Sequence, residues 1–430
     1  MILLLDAAYF LALLLLWPWL LYRRWKAGPG SLSISERLGK LPSRPVAAHC
    51  VWIHGVSLGE INATRTIVAE LRRRSPDTAI YITSTTRTGL DRARELYPHL
   101  PVGRFPVDLS FAIRRALGVV RPTAIILMEL ETWPNLLFVA ARAEIPVLIA
   151  NGRVTEERSM RRFRRWPLRG LARRMFREVR WVGAQDATYA ARFVELGAPA
   201  ERVEVTGSVK YDSADVADHI DGMEALADAM AIDRMRPLWV CGSTGPDEEA
   251  AILAAYSALR AEFPALQLAL IPRKPERFEE VARLIVRHGY ACLRRSAGPP
   301  LVPESVAEPT PVFLGDSVGE LRKFYALATV VFVGRTLVPL GGSDVMEVAG
   351  LAKPMIVGPF VENFAEAIEL LRAERGVVEV ASVAELAPAV ARLLGHATER
   401  ERIGRAARRT IVARRGATER IIDRVLRELY

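Results

Sequence analysis

The sequence predicts an α/β protein of two doubly wound parallel-sheet domains that face a cleft, preceded by an apolar N-terminal helix. Short apolar runs alternate with longer stretches of helical periodicity, a pattern typical of buried parallel strands joined by crossover helices. These runs form two series, separated by a more polar stretch at about residues 212–237. The chain has 430 residues, which at roughly 150 residues per domain gives two or three domains.

Charge and cysteine content narrow the class of protein. Lys and Arg number 59 against 49 acidic residues, a formal net charge of +10 that suits a membrane surface, a phosphate-bearing substrate or nucleic acid. The cysteines Cys50, Cys241 and Cys292 are widely spaced. They predict neither a disulfide framework nor a structural zinc site, which indicates a reducing compartment.

Residues 1–26 are predicted to form a membrane anchor. Met1 to Tyr22 are apolar or aromatic except for Asp6 and Pro18, and roughly 20 such residues cross a bilayer as a helix. The basic residues that follow place the body of the protein on the cytoplasmic side, and an aromatic belt adjoins them: Arg23, Arg24, Lys26, with Trp17, Trp19, Tyr22 and Trp25. A cleaved signal peptide is the weaker interpretation. Asp6 and Pro18 also leave open a helix that lies in the membrane interface.

The first domain is predicted over residues 31–211 and the second, with two or three C-terminal helices, over residues 212–430. Strands of the first domain are expected at 50–54, 79–83, 124–128, 146–150, 181–184 and 203–206. Strands of the second are expected at 238–242, 268–272, 311–314, 329–333 and 355–357. Ligands of open parallel sheets bind beyond the carboxyl ends of the strands, so the loops that follow these runs are the candidate sites.

The loop of residues 54–60, HGVSLGE, follows the first strand. Ser57 and Gly59 allow the backbone to approach a ligand closely, and Glu60 would begin the next helix at the cleft. The alternative is that Glu60 only complements the dipole of that helix from its first turn.

Glu129 and Glu131 follow the strand predicted at 124–128. Two carboxylates two residues apart on an extended segment point to the same side, as paired acids must to accept hydrogen bonds from sugar hydroxyls. The alternative is that they cap a helix before Pro134.

Three clusters in the second domain are candidates for anion or nucleotide contacts. Ser243 and Thr244 precede a helix whose first turn is crowded by acidic residues, which disfavours a bare phosphate there. Arg273 can clamp a phosphate with two hydrogen bonds, and Lys274 adjoins it. The third cluster is the glycine-rich turn with Arg335, Gly342, Ser343 and Asp344, which offers free N–H groups to a phosphate. Glu347, one helical turn later, can accept from ribose hydroxyls.

No metal or cofactor is predicted. The sequence has no GxxxxGKS motif and no histidine pair with metal-ligand spacing. His54 is more typical of a hydrogen-bonded core histidine than of a ligand. Nucleic-acid binding is disfavoured because no recognised module accompanies the basic charge.

An ordered set of motifs resembles the Kdo transferase family of lipopolysaccharide synthesis, which comprises inverting glycosyltransferases of the GT-B fold with two Rossmann-like domains. The motifs are HGVSLGE, FPVDL, MELETWPN, NGRVTEERS, TGSVKYD, PRKPERF, GDSVGELRKFY, FVGRTLV, GGSDVME and GPFVENF. The resemblance implies transfer of 3-deoxy-D-manno-oct-2-ulosonate (Kdo) from CMP-Kdo to a lipid A precursor, lipid IVA. It also implies the cytoplasmic face of the inner membrane, no metal, acceptor contacts in the first domain and CMP in the second.

Carried over by residue, the resemblance makes Glu60 the catalytic glutamate. Arg273 and Glu347 match family residues on the nucleotide side, and the motif GDSVGELRKFY adds Gly319 and Glu320. The sequence departs from the family pattern in four places on the nucleotide side. The family usually has His at the position of Lys274, His-Asn at Ser343-Asp344, His at Gly245 and Gly at Arg335.

Residues 161–169, with Arg173 and Arg174, interleave Arg with Phe, Trp and Leu. This mixture is typical of a segment at the level of anionic lipid headgroups, although an ordinary solvated helix face has the same pattern. Two other functions stay open: a GT-B relative that uses another nucleotide sugar, and an inactive membrane-bound assembly factor.

Overall fold

The computed structural model describes residues 1–27, 34–45, 47–166, 168–296, 302 and 311–430. The chain divides into two compact units, one formed by Met1–Ser213 with Arg414–Tyr430 and the other by Ala214–Ala413. Each unit contains one parallel sheet of seven strands with helices around it. The predicted class of two doubly wound parallel-sheet domains is confirmed.

The sheet of the first unit has the strand order β3-β2-β1-β4-β5-β6-β7. Its strands are β1 (Cys50–His54), β2 (Ala79–Ser84), β3 (Val102–Arg104), β4 (Ala124–Met128), β5 (Val147–Gly152), β6 (Trp181–Ala184) and β7 (Val203–Val205). The order reverses between β1 and β4, where His54 pairs with Leu127. A reversal of this kind opens a crevice at the carboxyl ends of the two strands.

The sheet of the second unit repeats this pattern in the order β10-β11-β9-β8-β12-β13-β14. Its strands are β8 (Leu238–Thr244), β9 (Gln267–Pro272), β10 (Ala291–Arg294), β11 (Pro311–Leu314), β12 (Val330–Val333), β13 (Met355–Val357) and β14 (Val378–Glu379). The reversal lies between β8 and β12, so the loops after Thr244 and Val333 border the equivalent crevice.

Helices join the strands and cover both faces of each sheet. In the first unit they are α1 (Ile2–Ala27), α2 (Ile34–Arg37), α3 (Leu58–Arg74), α4 (Arg87–Leu96), α5 (Ser110–Val120), α6 (Pro134–Arg142), α7 (Arg161–Phe163), α8 (Leu168–Arg177), α9 (Ala187–Leu196), α10 (Val209–Asp212) and α19 (Ala417–Leu429). In the second they are α11 (Met223–Ala229), α12 (Glu248–Glu262), α13 (Phe278–Arg287), α14 (Leu321–Leu327), α15 (Met346–Gly350), α16 (Ala365–Ala373), α17 (Leu386–Gly395) and α18 (Ala397–Val412).

The last helix, α19, packs on the first unit, whereas the sequence predicted it in the second. Its apolar residues Ile421 and Val425 are buried in the same core cluster as strand residues of β1 and β4. Asp212 accepts the backbone N–H of Thr418, and Arg420 donates to the carbonyl of Thr206 at 3.0 Å. The C-terminal helix therefore belongs to the first unit because its apolar face is buried in that unit's core.

The N-terminal half of α1 packs on the first unit. Ile2 is buried in the main core cluster, and Tyr9 donates a 3.0 Å hydrogen bond to Asp108. Asp6 accepts the backbone N–H of Ser110 at 2.9 Å and its hydroxyl at 2.6 Å, so it caps the start of α5. The acidic interruption of the apolar run is therefore a helix-docking residue.

The predicted membrane-spanning anchor is not confirmed. Among the described residues, no helix combines the length and the apolar character needed to cross a membrane.

Candidate functional site

Glu60 lies at the carboxyl end of β1, in the first turn of α3. Ser57 is the N-cap residue of that helix, and its side chain accepts the backbone N–H of Glu60. The Glu60 carboxylate in return accepts N–H bonds from Val56 at 2.9 Å and Ser57 at 3.2 Å, and the Ser57 hydroxyl at 2.7 Å. This capping box satisfies orphan N–H groups of the helix and holds the carboxylate in one place.

The capping geometry shows that Glu60 stabilises the start of α3, as the alternative interpretation expects, and it leaves a chemical role open. The residue is 8% exposed, so the carboxylate is reachable from one side only. A carboxylate has about four lone-pair positions, and three donors occupy three of them here. One acceptor position is left for a ligand.

Glu129 and Glu131 lie near Glu60, although not on the extended segment that the sequence predicted. The chain turns directly after β4, with Glu129 in the left-handed region at a φ of 56°. Such strain in a residue other than glycine concentrates at functional sites. Burial, together with Glu60 and Glu129, raises the pKa of Glu131 to about 7, and burial and Glu60 raise the pKa of Glu129.

The alternative role of Glu129 and Glu131 as helix caps is wrong. Helix α6 begins at Pro134 without a side-chain cap from its N-cap residue Trp133. Its first free amides, those of Asn135 and Leu136, donate instead to Asp108, at 3.0 Å and 2.9 Å. The two glutamates are therefore left to face the carboxyl edge of the sheet.

Two cations that sequence reasoning missed act on this acidic cluster. Arg153 and Lys210 both oppose the rise in the pKa of Glu129. They follow β5 and β7, at the same edge of the sheet as Glu60. The signal was present in the motifs NGRVTEERS and TGSVKYD, each of which places a basic residue shortly after a strand.

A groove of about 990 Å³ opens beside the acidic cluster, and its lining is of two kinds. Its charged residues include Glu129, Glu131, Arg153 and Arg162. Its apolar residues include Leu5 and Ala8 of α1 and Leu168, Leu171, Ala172 and Met175 of α8. Such a groove can hold a molecule with a polar head and an aliphatic tail.

His54 is a core residue, as predicted. It is fully buried, its Nδ1 lies 3.1 Å from the carbonyl oxygen of Thr83, and its ring stacks on Phe105 at 3.9 Å. Burial lowers its pKa to about 3, so the ring is neutral. Within the described parts of the chain, no group of three His, Cys, Asp or Glu side chains could hold a metal ion.

In the second unit, two buried acids, Glu248 and Glu249, begin the helix that follows β8. Glu248 accepts backbone N–H bonds from Gly245 and from Arg335, Thr336 and Leu337, all within 3.0 Å. It therefore ties the loop after β8 to the loop after β12 and fills the anion-binding position itself. The Thr244 hydroxyl donates to Glu249, and Ser243 is buried with a φ of 56°. The hydroxyl of Thr244 is thus already engaged.

Arg273 and Glu347 are the predicted nucleotide residues that the structure leaves available. Arg273 is exposed at the end of β9, and its guanidinium has no hydrogen-bond partner in the described residues. Glu347 lies half-buried at the start of α15. Burial and Asp344 raise the pKa of Glu347 to about 7, while Arg322 and Arg273 oppose that rise.

The remaining predicted nucleotide residues differ in what their surroundings permit. Arg295 and Lys323 pair with the Glu320 carboxylate at 2.8 Å and 3.1 Å and, with Ser317, lower its pKa to about 2. Arg335 donates to the carbonyl of Leu340 at 2.9 Å. Lys274 and Gly319 are exposed, Asp344 is half-buried, and Gly342 and Ser343 are buried. Gly319 and Gly342 have φ values of 89° and 82°.

Comparison with known proteins gives one family. The sequence profile described as 3-deoxy-D-manno-octulosonic-acid transferase (kdotransferase) matches residues 33–213. A 3-deoxy-D-manno-octulosonic acid transferase from Haemophilus influenzae is 35% identical over 375 residues, which are 87% of this chain and 86% of that protein. The enzyme of the same name from Bordetella pertussis is 34% identical over 95% of both chains.

Solved structures agree on the fold. A glycosyltransferase from Rickettsia africae matches with a TM-score of 0.54 at 11% identity, over 89% of this chain and 98% of that one. At this identity the likeness shows the fold, with two Rossmann-like domains, and nothing about substrate.

Proposed function

This chain belongs to the 3-deoxy-D-manno-octulosonic acid transferase family, and we propose that it moves Kdo from CMP-Kdo to a lipid A precursor with Glu60 as the general base. The family assignment rests on relatives at 34% and 35% identity that span most of the chain. The protein is therefore a glycosyltransferase.

The observation that carries the acceptor assignment is the groove beside Glu60. A lipid A precursor joins a polar sugar head to aliphatic chains, and the groove is lined both by charged residues, among them Glu129, Glu131 and Arg153, and by apolar residues of α1 and α8. The carboxylates can accept from sugar hydroxyls. The apolar residues remove aliphatic surface from water, a gain of about 25 cal/mol per Å² buried.

The chemistry that we assign to Glu60 is proton removal from the acceptor hydroxyl. As that oxygen bonds to the anomeric carbon of Kdo, its proton passes to the carboxylate, and CMP leaves with the electron pair of the bond that breaks. Attack from the face opposite CMP inverts the anomeric centre. The capping box orients the carboxylate before the acceptor arrives, which is what a general base requires.

The donor is assigned to Arg273 and Glu347. Arg273 offers a charged fork that matches a phosphate, and a half-buried carboxylate such as Glu347 can accept from ribose hydroxyls. Lys274, which follows Arg273, and Gly342 and Ser343, which precede α15, are secondary candidates. No metal ion is assigned a role in this proposal.

The membrane contact is assigned to α1 as a helix that lies in the interface. Asp6 and Tyr9 fix one face of α1 to the protein, while Leu3, Leu4, Phe10, Leu11, Leu14 and Leu15 are exposed on the other. Trp166, in the Arg-rich segment, is 91% exposed. An apolar helix face beside an aromatic and basic segment suits the cytoplasmic surface of the inner membrane, where anionic lipid attracts Lys and Arg.

The experiment is a transfer assay with the full chain, CMP-Kdo and a lipid A precursor, with the product weighed by mass spectrometry. We expect a mass increase of one Kdo residue or a multiple of it. A second reaction with another CMP-linked acidic sugar serves as the donor control. Transfer from that donor at an equal rate, or no product with CMP-Kdo, would contradict the proposal.

A further inference from the structure

Two arginines that form an ion pair with none of the described acids lie together at the carboxyl ends of β2 and β3, apart from the groove. Arg104 is the last residue of β3 and is 8% exposed, and Arg37 of α2 is half-buried. Ser84 pairs with Arg104 across the sheet, and the loop that follows β3 contacts α2, since Val107 donates to the carbonyl of Arg37 at 2.9 Å. Burial and the charge of Arg104 lower the pKa of Arg37.

The polar atoms around this pair lack partners. In the described part of the chain, the buried Nε atoms of both arginines have no hydrogen-bond partner, and neither do Nε2 of His54 and Oγ1 of Thr85. Arg37 makes one long bond, 3.4 Å, to the carbonyl of Thr85. These groups belong to one cluster, since the charge of Arg37 also helps to lower the pKa of His54.

No carboxylate neutralises the pair among the residues that the structure describes. Oε2 of Glu36 accepts the backbone N–H of Arg104 at 3.1 Å. No ion pair within 4.0 Å joins a described acid to either guanidinium. Buried charges in proteins are normally paired, because an isolated one is costly to desolvate. Two like charges held side by side raise that cost further.

We infer that Arg37 and Arg104 form a binding site for a phosphate-class oxyanion. Two guanidinium forks and the Thr85 hydroxyl supply the donors that a phosphate monoester accepts. The half-buried side of Arg37 is the route of entry. Building on the proposed function, we assign the bound group to a phosphate on the sugar head of the acceptor, since the site lies in the same unit and at the same sheet edge as Glu60.

The first test is binding of inorganic phosphate to the full chain, which is measured by calorimetry and by thermal unfolding. We expect the wild type to bind phosphate and to melt at a higher temperature in its presence. Arg104→Met should weaken phosphate binding at least about tenfold, the effect of losing one charge-assisted contact. Arg94→Met removes an exposed arginine of α4 and should change nothing. Equal phosphate affinity in wild type and Arg104→Met would overturn the site.

A folding failure is separated from a binding failure by the unliganded protein. Because Arg104→Met removes an unpaired buried charge, we expect its melting temperature without phosphate to equal or exceed that of the wild type. Arg37→Met is the second variant and should show the same loss of phosphate binding. Phosphate binding and melting temperature do not depend on Kdo transfer. A failure of the phosphate site can therefore be told apart from a failure of the proposed activity.

A second arm distinguishes the acceptor headgroup from free phosphate. The KM of Arg104→Met is compared for a phosphorylated acceptor and for the same acceptor with its phosphates removed. A KM that rises about tenfold or more only for the phosphorylated acceptor supports the assignment. A KM that stays unchanged for both acceptors, with phosphate binding lost, would overturn the acceptor assignment in favour of free phosphate.

Discussion

The Ser57 hydroxyl donates a 2.7 Å hydrogen bond to Oε1 of Glu60, and its oxygen accepts the Glu60 backbone N–H at 3.2 Å. One serine therefore both begins α3 and orients the carboxylate that we propose as the base. Stability and catalysis are coupled at this residue, and a substitution there should affect both.

We expect Ser57→Ala to lower the free energy of unfolding by about 1 kcal/mol, the usual cost of losing an N-cap. Turnover should fall as well, because the carboxylate loses one of its three donors and its fixed orientation. Asp186→Ala is the matched control, since Asp186 caps α9 by accepting the Tyr189 N–H at 2.7 Å. That variant should lose similar stability in chemical denaturation and retain its turnover; an equal loss of turnover in both would remove the orienting role of Ser57.

The raised pKa of Glu131 predicts a pH dependence of stability. Its pKa is about 7 in the folded protein against 4.5 for an unperturbed glutamate, so the folded state binds more protons between these values. Stability from this group is therefore present below pH 4.5 and is lost as the pH rises to 7. Glu131→Gln should raise the melting temperature at pH 8 by roughly 2 to 4 °C, the shift given by about 1 kcal/mol in a domain of this size, and leave it unchanged at pH 4.5. A gain of equal size at both pH values would show that the charge of Glu131 is not the cause.

The exposed face of α1 should determine membrane binding. Leu11, Leu14 and Leu15 are 61%, 74% and 72% exposed and make no contribution to the core cluster that contains Ile2. Replacing all three by Gln should lower binding to anionic vesicles at least tenfold, since one buried leucine contributes about 1.5 to 3 kcal/mol. The melting temperature should stay the same. Met235→Gln, at an exposed apolar residue of the second unit, is the control for sedimentation with vesicles; unchanged binding in the triple variant would place the membrane contact elsewhere.

The strands were predictable where burial on both faces leaves a continuous apolar run. Cys50–His54, Ala124–Met128 and Trp181–Ala184 have the bounds that the sequence predicted. Val102–Arg104 was missed because three residues ending in a charge do not make a recognisable run. Val378–Glu379 was missed for the same reason, with two residues.

Local turn chemistry made Glu60 predictable, whereas long-range contacts did not show in the sequence. The Gly and Ser residues around position 57 indicate a close turn before a helix. The left-handed turn at Glu129 depends on its N–H bond to Ala150, a residue of the neighbouring strand. The docking of Asp6 on Ser110 spans more than 100 positions, so an apolar run read alone favours a membrane helix.

On the nucleotide side, Arg273→Ala should weaken CMP binding. Loss of a charge-assisted phosphate contact costs about 1.5 to 3 kcal/mol, or roughly 10- to 150-fold in affinity by calorimetry. The fold should be unaffected because the guanidinium is exposed and bonds to none of the described residues. Arg287→Ala removes an exposed arginine of α13 and should bind CMP as the wild type does. If both variants bind CMP equally well, Arg273 does not contact the phosphate.

The general base is tested by Glu60→Gln. An amide cannot take the proton of the acceptor hydroxyl, and loss of a general base typically costs about 100- to 10,000-fold in rate. The amide nitrogen of Gln would also face an N–H donor of Val56 or Ser57 where the carboxylate accepts one. We therefore expect a loss of about 1 to 3 kcal/mol in the free energy of unfolding. Turnover must for this reason be measured below the melting transition. Glu70→Gln, on the same helix, should keep wild-type turnover, and CMP affinity should be unchanged in both variants. If Glu60→Gln keeps more than about a tenth of the turnover with chemistry rate-limiting, the base is another group. Glu131 is then the next candidate, because its pKa of about 7 is matched to proton transfer at neutral pH and Glu60 is one of the charges that raise it.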